Sequence, residues 1–170
     1  MKVLLISPLG YAINKDTRYS GIEKLVFQYA SELNKEHDVT VLGHALSIYP
    51  LGVKLLPTNP LPKEDIFISA ERRQYETYQG YLREFDVIHD FSHQHFASRF
   101  NALPSLNLFW HAPSVARFPK SKYNIIGLSE WACREFRHIY KQEARYQQSI
   151  VIDTNVYHPD GKPRTDVFLT

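Results

Sequence analysis

The stretch Val3-Leu4-Leu5-Ile6, followed across a polar loop by Ser20-Gly21-Ile22-Glu23-Lys24-Leu25-Val26, decides the fold. Four consecutive branched apolar residues make a strand buried on both faces, as strands of a parallel sheet are. After the loop Leu9–Tyr19, Ser20 stands at a helix N-cap with Glu23 three residues on. That spacing predicts a capping box, in which each side chain satisfies an orphan backbone N–H. Leu25, Val26, Tyr29, Ala30 and Leu33 then recur at helical spacing, so one face of the helix packs on the sheet. Strand, loop and helix in this order open a βαβ unit.

The same alternation continues outward. Strands are expected at Asp38–Leu42, Val53–Leu56, Val87–His89, Leu106–Phe109, Ile125–Leu128 and Ser149–Ile152. Between them the pattern predicts a long polar helix from about Glu64 to Glu84, with Tyr75, Tyr78, Leu82 and Phe85 as its inner stripe. A short helix falls near Phe96 to Phe100, and another helix runs from Glu130 to about Gln147. Together these elements predict an α/β chain: a parallel sheet with helices on both faces and the first strand central. His158-Pro159-Asp160-Gly161-Lys162-Pro163-Arg164 has the composition of a linker, and Asp166–Thr170 begins a further strand. Residues 1–157 are therefore expected to form one domain. Residues 158–170 are expected to be the linker and the opening of a second domain, which the chain stops short of completing.

Charge excludes some partners. Twenty Lys and Arg against 18 Asp and Glu leave a net charge of +2, far from the basic excess of a nucleic-acid binder. A single cysteine, Cys133, excludes an internal disulfide and fits a reducing cytosol. The apolar run at the N-terminus ends at Pro8, too short for a signal peptide, and no run approaches the ~20 residues that span a bilayer. A cytoplasmic protein is expected.

In an open parallel sheet, ligands bind beyond the carboxyl ends of the strands. The loop after the first strand carries only Gly10, then Gly21 at the helix start, so the three-glycine dinucleotide fingerprint is absent. Gly21 still exposes backbone N–H groups at the positive end of a helix dipole, which suits a phosphate; the plain alternative is a capped helix start. His89, His93, His95 and His111 fall at or just after strand ends. Histidine suits acid/base work or hydrogen bonding to a sugar hydroxyl or phosphate. His93-Gln94-His95 also has the look of a metal site, but no cysteine and no clear third ligand accompany it, and no metal is expected. His89 lies inside a strand and is expected to be a core residue. His111 precedes Ala112-Pro113, where a side chain would be displayed at a strand end. Arg134, Arg137, Lys141 and Arg145 on the last helix, with Arg117, Lys120 and Lys122 before it, would suit an anionic membrane surface; the alternative is a solvated helix face.

Taken in order, these segments resemble the N-terminal domain of GT-B fold glycosyltransferases, specifically the retaining glycosyltransferase family 4. Ser20-Gly21-Ile22-Glu23 is similar to the family's Gly-Gly-x-Glu segment, with Ser20 in place of the first glycine. Asp86-Val87-Ile88-His89 with the loop to His93 resembles its Asp-Val-Ile-His strand and the following histidine loop. Phe109-Trp110-His111, Gly127-Leu128-Ser129-Glu130 and Asp153-Thr154-Asn155-Val156-Tyr157-His158-Pro159 are similar to three further segments in the same order. The resemblance implies a Rossmann-like acceptor-side domain that works opposite a C-terminal donor-binding domain. The reaction it implies is transfer of a sugar from a nucleotide-sugar to a carbohydrate or lipid-linked acceptor, with retention and without metal. By the same resemblance Gly10, Ser20 and Gly21 would meet the donor diphosphate, and His111 would act at the reacting carbon. Arg18, Tyr19, His93 and Glu130 would shape the acceptor pocket. One domain alone is then expected to transfer no sugar. A non-catalytic Rossmann-like module that binds a sugar or nucleotide is the alternative of a different class.

Overall fold

The computed structural model describes residues 1–17, 20–66, 68–99, 105–110 and 124–146. Seven strands form one sheet: β1 (Lys2–Ile6), β2 (Asp38–His44), β3 (Lys54–Thr58), β4 (Val87–Asp90), β5 (Leu106–Trp110), β6 (Asn124–Gly127) and β7 (Arg145–Tyr146). Every pairing among them is parallel, and their order across the sheet is β3-β2-β1-β4-β5-β6-β7. This is a Rossmann-like α/β fold. The first strand lies inside the sheet between β2 and β4, with Leu4 opposite Thr40 on one side and Ile88 on the other.

Side chains alternate along each strand and so feed two cores. Val3 and Leu5 join Val39, Val41, Phe91 and Phe109 beneath helix α1 (Gly21–Leu33), which contributes Leu25, Val26 and Ala30. Leu4 and Ile6 join Leu42, Ile88 and Leu108 on the opposite face. That face is covered by helix α2 (Ser69–Tyr78), the 3₁₀ turns Gln79–Glu84 and Phe96–Arg99, and helix α3 (Glu130–Tyr140). Within the first core the Phe91 and Phe109 rings stack at 4.1 Å, and Tyr29 meets both edge-on. Burying a side chain of this size contributes about 1.5–3 kcal/mol. The β4–β5 seam beneath α1 therefore owes much of its cohesion to three rings. Pro57 is accommodated because β3 is an edge strand, where a missing N–H costs no ladder bond.

Three expectations need correction. The helix expected from Glu64 begins at Ser69 and turns 3₁₀ from Gln79. Glu64 accepts from Leu61 N and Asp65 accepts from Ile68 N, so both carboxylates tie off turns and compete with helical bonding. The expected inner stripe is present: Leu82 is buried, and Tyr75, Tyr78 and Phe85 pack against the same core. Helix α3 stops at Tyr140 and not near Gln147, because Lys141 takes a left-handed conformation (φ 53°, ψ 37°) and closes it. Arg145–Tyr146 then pair with β6. Finally, Ser20 does not make the reciprocal capping box, because its side chain accepts no cap bond. The strand expected at Ser149–Ile152, the linker and the opening strand at 166–170 lie outside the described residues. Among the described residues no helix is long and apolar enough to cross a membrane.

Candidate functional site at the β1–β4 crevice

The strand order reverses its direction of growth at β1: the chain moves outward to β2 and β3, then returns to β4 on the other side. Adjacent parallel strands whose connections depart to opposite faces leave a crevice between their carboxyl-end loops. Here those loops are residues 7–20 after β1 and residues 91–95 after β4.

The first loop is anchored at its base. Ser7 N donates to Leu42 O at 2.9 Å, and Leu9 and Ile13 are each 1% exposed. Ile13 N donates to Ser47 Oγ, and Ile13 O accepts from Ile48 N, which ties the loop to the segment after β2. Tyr49 packs beneath, stacked on Phe27. Burial pushes its phenol up to about 12, with the Ser7 and Ser47 hydroxyls pulling the other way. At the helix start, Ser20 Oγ donates to Glu23 Oε2 at 2.5 Å, and both residues are buried. Glu23 Oε1 would stand only 3.0 Å from a Cβ placed on Gly10, so glycine at position 10 is what lets the carboxylate fit. Ser20 holds φ 127° and ψ 113°, a backbone region essentially reserved for glycine. Gly21 is exposed, with no atom within 4 Å of where its Cβ would stand.

The second loop is organised by two buried carboxylates. Phe91 N donates to Ile6 O at 2.9 Å, extending the β1–β4 ladder by one bond. Asp90, fully buried at the end of β4, accepts from Ser92 N (2.9 Å) and Ser92 Oγ (2.6 Å), and His95 Nδ1 stands 3.5 Å from the same oxygen. Glu71, 1% exposed, reaches over from α2. Its Oε1 accepts from His93 N at 2.9 Å, its Oε2 accepts from Gln94 N at 2.8 Å, and His93 Nδ1 lies 3.0 Å from Oε1. Tyr75 stacks on Phe96 to complete the junction of α2 with the loop. Between α2 and the sheet lies a cavity of about 10 Å³ lined by Glu71, Gln74, Asp90 and Ser92 among others. That volume is on the order of one water molecule.

The structure thus brings Gly10, Ser20, Gly21 and His93 to the two loops that flank one crevice, across adjacent strands roughly 5 Å apart. Glu130 is exposed in the first turn of α3 beyond β6, two strands further along the same edge. Arg18, Tyr19 and His111 lie outside the described residues. Among the described residues no group of three or more His, Cys, Asp or Glu gathers to hold a metal, and His93 and His95 turn Nδ1 to different carboxylates. His89, expected in the core, packs against Tyr29 and Phe109 on the α1 face, and burial lowers its pKa to about 4.

Sequence reasoning passed over Glu71 and Gln74. Both are polar residues on the inner stripe of α2, at the spacing 71, 74, 75, 78 that marks one helical face. A charged residue in an otherwise core-facing stripe is the signal that would have found Glu71. No protein-family model and no curated protein matches the chain.

Proposed function

We propose that this chain is the acceptor-side domain of a nucleotide-sugar-dependent glycosyltransferase, acting in the cytoplasm opposite a donor-binding domain. The observation that carries the reading is that two of the loops singled out from sequence, the Gly10–Gly21 loop and the His93 loop, follow adjacent strands at a topological switch point of the sheet. Retaining transfer develops positive charge at the sugar carbon as a diphosphate leaves, so the protein must stabilise both together. Gly21 offers backbone N–H groups and room for a phosphate to approach the start of α1. Ser20 gives its hydroxyl to Glu23, which leaves the backbone and not the side chain to meet the donor. His93 lies across the crevice on the acceptor side. His111 contacts the donor sugar, and Arg18, Tyr19 and Glu130 complete the acceptor pocket. No metal takes part. The acceptor is a carbohydrate or a lipid-linked molecule.

The experiment is sugar transfer by the complete gene product from a panel of UDP-, GDP- and ADP-sugars to oligosaccharide and polyprenyl-phosphate acceptors. Transfer that persists in EDTA is expected. His93→Ala should lower kcat/KM for the acceptor by about 10- to 100-fold, the size of one lost hydrogen bond in a desolvated site. Nucleotide binding with no turnover on any acceptor would favour the non-catalytic module instead.

A further inference from the structure

We propose that the cavity between α2 and the sheet is a water-binding site, in which one long-lived water accepts a hydrogen bond from the Gln74 amide and donates one to Asp90 Oδ2. Two polar side chains that line this cavity are almost wholly buried: Asp90 is 0% exposed and Gln74 is 2% exposed. Asp90 commits one oxygen, Oδ1, to the backbone N–H and hydroxyl of Ser92. Among the described residues, neither its other oxygen, Oδ2, nor Gln74 Nε2 has a hydrogen-bond partner. Buried polar atoms are nearly always bonded, to protein or to ordered water, because leaving one unbonded forfeits its hydration with no return. Here an unpartnered donor and an unpartnered acceptor belong to residues of one cavity. A single bridging water satisfies both.

The fold places the two side chains on facing surfaces. Alternation along β4 puts Asp90 on the same face as Ile88, which packs in the core under α2. Gln74 lies on the inner stripe of α2 with Glu71, Tyr75 and Tyr78, and all four line the cavity. The volume of about 10 Å³ suits one water. Polarity selects the species. An amide N–H donates and a carboxylate oxygen accepts, so the occupant must do both, as water does. A bare cation accepts no hydrogen bond, and an anion would meet the carboxylates of Asp90 and Glu71. The water joins the carboxyl end of β4 to α2, beside the two bonds that Glu71 accepts from His93 N and Gln94 N. It is independent of the transfer reaction proposed above.

The test is a pair of water-selective NOE and ROE spectra of the ¹⁵N-labelled chain, read at the Gln74 side-chain amide protons, which are assigned through that residue's own backbone. The expected result is cross-peaks to water with NOE and ROE of opposite sign, the signature of a long-lived water. The Ser92 hydroxyl also exchanges with solvent and could relay such a signal, so the cross-peaks should persist in Ser92→Ala. Oxygen-17 relaxation dispersion gives a second readout: Gln74→Met, with the fold checked by circular dichroism, should lose about one long-lived water relative to the wild-type chain. Visible Gln74 amide signals without these cross-peaks overturn the proposal. So does their loss in a folded Ser92→Ala, or an unchanged oxygen-17 dispersion in a folded Gln74→Met. If either variant does not fold, the wild-type cross-peaks decide.

Discussion

At the residue scale, Ser20 carries a backbone conformation that its side chain disfavours, and it holds Glu23 in exchange. Non-glycine residues in such regions cost about 1–3 kcal/mol. Removing the hydroxyl separates the two effects. Ser20→Ala loses the bond to Glu23 and keeps the strain, whereas Ser20→Gly loses the bond and relieves the strain. Ser20→Gly should therefore be more stable than Ser20→Ala by about 1 kcal/mol in urea unfolding, the N-cap preference for glycine over alanine adding to the relief of strain. An alanine variant as stable as the glycine variant would refute the strain. His89 gives a pH-dependent counterpart. Burial lowers its pKa from 6.5 to about 4, so the folded chain keeps the ring neutral while the unfolded chain protonates it between those values. The unfolded state then binds more protons, and stability falls as pH drops through that window. The wild-type chain should lose up to roughly 3 kcal/mol relative to His89→Leu between neutral pH and pH 4. Parallel pH profiles for the two would show that the ring is solvated in the folded state.

At the scale of elements, helix α3 ends on Lys141 in the left-handed conformation that glycine adopts without cost. Lys141→Gly should raise stability by about 0.5–1 kcal/mol and Tm by about 1–3 °C. A lower Tm would mean that the Lys141 side chain contributes more than its backbone costs. This helix also shows where sequence is readable and where it is not. Its start at Glu130 was legible, because Ser129 caps it by accepting from Ala132 N and the apolar positions 132, 133 and 136 follow. Its end was not, because no glycine or proline marks Lys141. Strands β1 to β6 were legible from their apolar runs, whereas the two-residue β7 fell inside the expected helix. Helix α2 was harder. Its inner stripe was found, but Glu64 and Asp65 bond the backbone before the helix begins, and a carboxylate that ties a turn has the same letter as one on a helix surface. Glu71 was missed for a related reason: a buried acid is recognised by its partners on the 93–94 backbone, and those lie 22 and 23 residues away.

At the scale of the whole molecule, the parallel sheet with the first strand inside it was expected from the βα alternation, and the observed order β3-β2-β1-β4-β5-β6-β7 locates the crevice. The glycines and the histidine loop that flank it were legible because strand ends can be counted from sequence. The hydrogen bonds that hold those loops were not, since each joins residues far apart in the chain. The four cations of the α3 region, Arg134, Arg137, Lys141 and Arg145, are exposed, but Glu130, Glu135 and Glu143 share that region and Arg137 pairs with Glu143 at 3.2 Å. Any attraction of this face to an anionic surface should accordingly be weak and lost at physiological salt. The central claim is that sugar-bearing ligands enter between the β1 and β4 loops. Its most direct measurement is amide chemical-shift mapping of the ¹⁵N-labelled chain titrated to millimolar UDP-glucose or GDP-mannose. Saturable shifts at Gly10, Ser20 and Gly21, spreading to His93 and Gln94, are the expected result; saturable shifts confined to β3, α3 or the amino ends of the strands would contradict it.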